Sequence, residues 1–99
     1  MYFGKAPPER KELERHAGNW LKDLRKTAGL SQVELAQRLG LKYCTFVAQI
    51  ENGFGRVPSA IMEAWGRALG VEPADFAREL LKYYDPELHR LISERQPNS

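Results

Sequence analysis

Residues 31–53 read Ser31-Gln32-Val33-Glu34-Leu35-Ala36-Gln37-Arg38-Leu39-Gly40-Leu41-Lys42-Tyr43-Cys44-Thr45-Phe46-Val47-Ala48-Gln49-Ile50-Glu51-Asn52-Gly53. Ser31 followed three residues later by Glu34 is a capping box: the hydroxyl accepts a backbone N–H of the first helical turn, and the carboxylate reaches back to the cap. The helix opened in this way points Val33, Leu35, Ala36 and Leu39 inward, and Gly40 stops it after about two turns. A second short helix is predicted from near Tyr43, with Val47 and Ile50 inward and Asn52-Gly53 closing it. Asn-Gly also serves two-residue hairpins. No alternating strand pattern flanks it here, so the pair reads as a helix end.

Every strong signal outside this stretch is also helical. Leu13, Ala17, Trp20, Leu21, Leu24 and Ala28 recur at spacings of three and four, after Pro7-Pro8 and before Gly29. This predicts a first helix over about 9–28. Pro58-Ser59 opens a fourth helix carrying Ile61, Met62, Trp65 and Leu69, ended by Gly70. Pro73 opens a fifth with Phe76, Ala77, Leu80, Leu81 and Tyr84. Asp85-Pro86 opens a sixth with Leu88, Leu91 and Ile92 expected inward. The expectation is a single all-α domain over 1–99: a flexible N-terminal arm at 1–8, a helical bundle over 9–84, a C-terminal helix over 85–95, and a disordered tail at 96–99.

Ninety-nine residues at 42% hydrophobic and 28% charged suit one soluble globular unit and exclude collagen-like or largely disordered chains. No apolar run approaches the roughly 20 residues of a membrane span, and residues 1–8 lack the apolar segment of a secretory signal. The lone cysteine, Cys44, has no partner for an internal disulfide, so a reducing cytoplasm is the expected setting. Two distant histidines and one cysteine give no metal-site spacing. Neither His16 nor His89 has a neighbouring nucleophile or carboxylate that reads as a triad, and no Gly-rich phosphate loop is present. No cofactor, metal or catalytic activity is expected. Charge is uneven: residues 1–56 hold ten Lys/Arg against six acids, and residues 57–99 hold five against seven. A basic half beside an acidic half suits a polyanion on one face, or is simply an unevenly charged solvated surface.

A short capped helix, a Gly-centred turn and a second short helix make a helix-turn-helix, in which the second helix puts its N-terminal part into the major groove of DNA. Ala36 is small where the two helices cross. The stretch resembles the Cro/repressor (XRE-type) helix-turn-helix family. The resemblance is carried by Leu24-Arg25, Ala28 to Gln32, Glu34-Leu35-Ala36, Leu39-Gly40, Val47, Ile50 to Gly53, Pro58 and Ala68 to Val71, and covers about 21–76. It implies a lambda repressor-like bundle of five helices, here with an additional C-terminal helix, binding double-stranded operator DNA as a repressor and often as a dimer. One departure stands out. Gly40 to Val47 is one residue longer than the family's usual spacing, so either the turn is longer or the helix starts earlier.

Aligned from Val47 and Asn52-Gly53, the resemblance places Cys44, Thr45 and Gln49 at base-reading positions. The helical period agrees that Thr45 and Gln49 point away from the core, and a glutamine amide matches an adenine edge. Cys44 is otherwise a small filler. Phe46 either touches a thymine methyl or packs on the fourth helix, and Tyr43 either bonds a phosphate or covers the lengthened turn. Gln32 resembles a phosphate contact at the helix start, or is a solvated first turn. Asn52 is a phosphate contact or only a cap. Lys42 and Arg56 flank the reading helix as candidate phosphate neutralisers. Arg25 and Glu51 resemble a structural ion pair that ties the first helix to the end of the third.

Trp20, Trp65 and Phe76 are assigned to the core. Leu81, Tyr84, Leu88, Leu91 and Ile92 exceed what five helices need, and fit either a return onto the first helix or a two-fold homodimer surface. The leading expectation is a cytoplasmic, sequence-specific transcriptional repressor. The alternative is an antitoxin or anti-activator that holds a partner protein on the same helical platform.

Overall fold

The computed structural model describes residues 8–94, so residues 1–7 of the expected arm and the expected tail at 96–99 lie outside the described residues, while Pro8, expected in the arm, belongs to the first helix. Six helices run in order: α1 (Pro8–Thr27), α2 (Gln32–Arg38), α3 (Thr45–Glu51), α4 (Ser59–Ala68), α5 (Pro73–Tyr84) and α6 (Pro86–Glu94). No strand is present among the described residues.

The starts follow the sequence signals closely. Ser31 Oγ accepts the Glu34 N–H at 3.0 Å, and Glu34 Oε1 accepts the Ser31 N–H at 2.8 Å, which completes the capping box. That backbone donor, then the hydroxyl, holds the Glu34 carboxyl below its ordinary pKa. Pro58 and Pro73 stand at the openings of α4 and α5, and Asp85 Oδ1 accepts the Leu88 N–H at the head of α6.

The stops of α1 to α4 share one mechanism. After α2, the Gly40 N–H returns to Gln37 O and the Leu41 N–H to Ala36 O, with Gly40 at φ 74°. This is the Schellman arrangement, which satisfies carbonyls the helix leaves open and turns the chain sharply through a left-handed residue. The same paired bonds close α1 at Gly29-Leu30, α3 at Gly53-Phe54 and α4 at Gly70-Val71.

The core lies where α1 to α5 meet. Leu21, Leu35, Val47, Trp65, Phe76 and Leu80 are fully buried there. Trp20 stacks on Phe76 with ring centroids 5.6 Å apart. Ala36 is buried at the α2 crossing, as its size requires. The Tyr84 hydroxyl accepts the Val57 N–H at 3.0 Å, and burial pushes that phenol above its usual pKa.

Three expectations change. Helix α3 begins at Thr45 rather than near Tyr43, so the extra residue lengthens the turn. Val33 is 51% exposed rather than inward, because a seven-residue helix buries only Leu35 and Ala36. Leu88, Leu91 and Ile92 on α6 are exposed rather than inward. A nine-residue helix joined to α5 through Asp85 alone packs mainly on α5 and leaves this stripe open.

Gly18 is a feature the apolar stripe does not reveal. It is buried in the middle of α1, and a Cβ there would lie 2.3 Å from Glu51 O and 2.8 Å from Ile50 O. Helices α1 and α3 therefore approach to backbone contact. The obstacle is main chain at the end of α3, which cannot rotate aside. Gly18→Ala is expected to destabilise the fold by roughly 1–3 kcal/mol, the usual cost of overpacking, despite alanine's better helix propensity. Urea unfolding measures this, and equal or greater stability would contradict the close approach.

Candidate nucleic-acid interface

Helix α3 owes its presentation to its two inward residues. Val47 and Ile50 are buried, and the helical period then turns Thr45 and Gln49 outward, where both are exposed. Ala48 is half-buried between them and Asn52 is exposed at the C-cap. Leu41, Lys42, Tyr43, Thr45, Phe46 and Gln49 together line one shallow, open groove at the head of α3.

The lengthened turn displays side chains at the rim of this groove. Tyr43 is 67% exposed, and the Lys42 ammonium sits 5.6 Å from its ring centroid. This cation–π contact gives a mobile lysine a preferred place at about 0.5–1 kcal/mol for an exposed pair. Cys44 is half-buried at the N-cap of α3, the small-filler position, and makes no side-chain capping bond. Phe46 packs against Trp65 with centroids 6.4 Å apart, so the packing reading of its ring holds, while it also lines the groove.

Behind the groove lies a buried polar cluster. Arg25 Nε donates to Glu51 Oε2 at 2.6 Å and Nη2 to Oε1 at 3.1 Å, a two-point clamp from α1 to the last residue of α3. Arg25 Nη1 also donates to Leu30 O at 2.8 Å, just ahead of the α2 cap. Gln32 Nε2 donates to Glu51 Oε1 at 3.0 Å. The half-buried Gln32 side chain is therefore tied to the cluster, not simply solvated at the helix start.

Two predicted site residues take other roles. The Arg56 guanidinium donates to Glu14 on α1 at 2.8 Å and lies 5.2 Å from the Tyr84 ring centroid. These contacts join the loop after α3 to α1 and α5. Tyr84 is a core residue bonded to Val57, not part of an open dimer surface. Leu81 is half-buried and shares an apolar groove with Met62, Ala77, Leu80 and Ile92. Only Leu88, Leu91 and Ile92 of the five remain exposed.

Sequence reasoning missed the Glu14–Arg56 pair, which spans 42 residues and leaves no local pattern. It also missed Phe54, which is 77% exposed three residues after the end of α3. Gly18 did leave a signal, since a glycine inside a helix costs about 1 kcal/mol and usually has a packing reason.

Among the described residues no group of His, Cys, Asp and Glu is arranged to hold a metal ion, and no helix is long and apolar enough to cross a membrane. A short capped helix, a glycine turn and a second helix with an exposed polar face, packed by three further helices, define the class of helix-turn-helix proteins. The chain belongs to the helix-turn-helix domain family, whose sequence profile it matches over residues 16–80. Two crystal structures of the clp gene regulator ClgR from Corynebacterium glutamicum have a similar fold, each at 24% identity and a TM-score of 0.57. One match covers 83% of this chain and 99% of that one, the other 95% and 100%. No curated protein matches in sequence.

The buried clamp yields a direct test. Arg25→Ala leaves the Glu51 carboxylate buried without its cation and is expected to cost about 3–5 kcal/mol. Denaturant unfolding reads this, and a loss below about 1 kcal/mol, the range of exposed pairs, would show that the pair is not buried as described.

Proposed function

We propose that this protein is a sequence-specific regulator of transcription that binds double-stranded DNA through the groove at the head of α3 and acts as a repressor by occupying its operator. The observation that carries this reading is the outward set Thr45 and Gln49 on a helix whose inner face is locked by Val47 and Ile50. A reading helix must be rigid behind and polar in front, because base discrimination depends on aligned donors and acceptors. Gln49 matches the N6 and N7 edge of adenine, and Thr45 offers a hydroxyl or a methyl. Phe46 contributes the edge of its ring. Gln32, Lys42, Tyr43 and Asn52 surround these residues as backbone contacts, which position a protein on the duplex without reading sequence. The family membership and the ClgR fold, which belongs to a protein described as a clp gene regulator, support the same reading. Nothing in the site calls for catalysis, and the setting is the cytoplasm, where the DNA is.

The single domain acts as a homodimer through α6. Its stripe of Leu88, Leu91 and Ile92 leaves apolar area in water that a second copy would cover, and a two-fold dimer presents two reading helices to half-sites about 34–36 Å apart. A second copy is favoured over an antitoxin's partner because a two-fold pair would present two reading helices to one duplex.

Duplexes selected by the protein from a random-sequence pool provide the test. The selected duplex is expected to bind at least ~10³-fold more tightly than a scrambled one at the same salt. Gln49→Ala should cost roughly 1–3 kcal/mol and relax base choice at one position. Sedimentation should find two chains on the duplex, and one for Leu91→Asp. Equal, steeply salt-dependent affinity for both duplexes would reduce the activity to phosphate attraction.

A further inference from the structure

We infer that Glu51 is a positioning residue for DNA binding, acting through Gln32. The inference rests on the DNA-binding reading above and specifies how one of its backbone contacts is made.

Three donors converge on one buried carboxylate. Glu51 Oε2 takes Arg25 Nε at 2.6 Å, while Oε1 takes both Arg25 Nη2 at 3.1 Å and Gln32 Nε2 at 3.0 Å. The carboxylate is fully buried. An ionised carboxylate only accepts hydrogen bonds, and both oxygens of Glu51 already take a guanidinium N–H of Arg25. The Gln32 amide must therefore turn its nitrogen, not its oxygen, toward Glu51. Chemistry fixes this orientation, which is otherwise ambiguous for a glutamine side chain.

The consequence reaches the surface. Gln32 is the first residue of α2 and is half-exposed. Its amide nitrogen carries two hydrogens, of which Glu51 holds one and leaves the other for a phosphate oxygen. An unheld amide would rotate, spending part of its time with the carbonyl toward the anion. The clamp also fixes the frame in which this happens, because Arg25 Nη1 bonds Leu30 O immediately before the α2 cap. Glu51 thus joins the end of the reading helix to a backbone contact on the neighbouring helix. One buried charge sets where α3 lies and which atom of Gln32 faces the phosphate.

The test uses the full chain and a duplex it has selected from a random pool, prepared as a series with one neutral methylphosphonate at each backbone position in turn. For the wild type, one position is expected to lose about tenfold in affinity through its hydrogen bond from Gln32. Gln32→Met keeps the length of the side chain, lacks the donor, and should be indifferent to that position alone. Glu51→Asp, shorter by one methylene, should become indifferent to the same position while the others keep their effect. A purely structural Glu51 would weaken all positions together.

The inference is overturned if folded Glu51→Asp still loses affinity at the Gln32 position, or if no position depends on Gln32. Should Glu51→Asp not fold, nitrogen-15 NMR of the wild type decides. One Gln32 side-chain proton should be protected from exchange in the free protein, and the other should shift when the duplex is added. Two ordinary, fast-exchanging protons overturn the inference. Failure of the DNA-binding reading itself is distinguishable, since the wild type would then enrich no sequence from the pool.

Discussion

The ion pair between Arg25 and Glu51 is the constraint on which the rest of this small protein depends. Helices α2 and α3 are seven residues each, too short to be stable alone, since isolated helices below about 12–15 residues are marginal in water. Their geometry has to come from outside them. Arg25 supplies it by reaching from α1 to the last residue of α3 and to the carbonyl that precedes α2. A buried pair of this kind adds little net stability over an apolar replacement. It does permit very few arrangements, because each charge must find its partner. The structure uses that property to fix the angle of a helix whose outer face must meet a partner accurately.

Two further features follow from the same demand. Gly18 lets α1 come so close to α3 that Glu51 O occupies the space of a β-carbon, which brings the guanidinium within reach of the carboxylate. The Schellman stops keep α2 and α3 short by ending each on satisfied backbone bonds. The loop after α3 is secured in turn by Arg56, which Glu14 and the Tyr84 ring hold from the far side. What remains toward solvent at the head of α3 is a shallow groove lined by exposed and half-buried side chains from Leu41 to Gln49.

Much of this was legible in the sequence because its causes are local. The capping box at Ser31 and Glu34, the prolines at helix starts and the glycines at helix ends act within four residues, and the helices fall within two residues of where those signals put them. The inward set of α3 was legible for the same reason, since spacing alone separates Val47 and Ile50 from Thr45 and Gln49. Non-local geometry was not. The basic character of Arg56 gave no hint that Glu14 would neutralise it, and the apolar period of α6 said which residues share a face but not whether a neighbour covers it. At the extra residue between Gly40 and Val47 the sequence left two alternatives, and the start of α3 at Thr45 shows that the turn absorbed it. The domain membership, in contrast, was carried by many positions in register, and the match over 16–80 rests on the same stretch.

The proposed function has DNA met at one surface, around the head of α3. Its most direct test is the change in backbone amide resonances when a selected duplex is titrated into the protein. The account predicts shifts concentrated at Gln32 and Val33, at Lys42 through Gln49, and at Asn52, with α5 and the core side of α1 little changed. Shifts centred on α4 and α5, with the head of α3 unmoved, would contradict it.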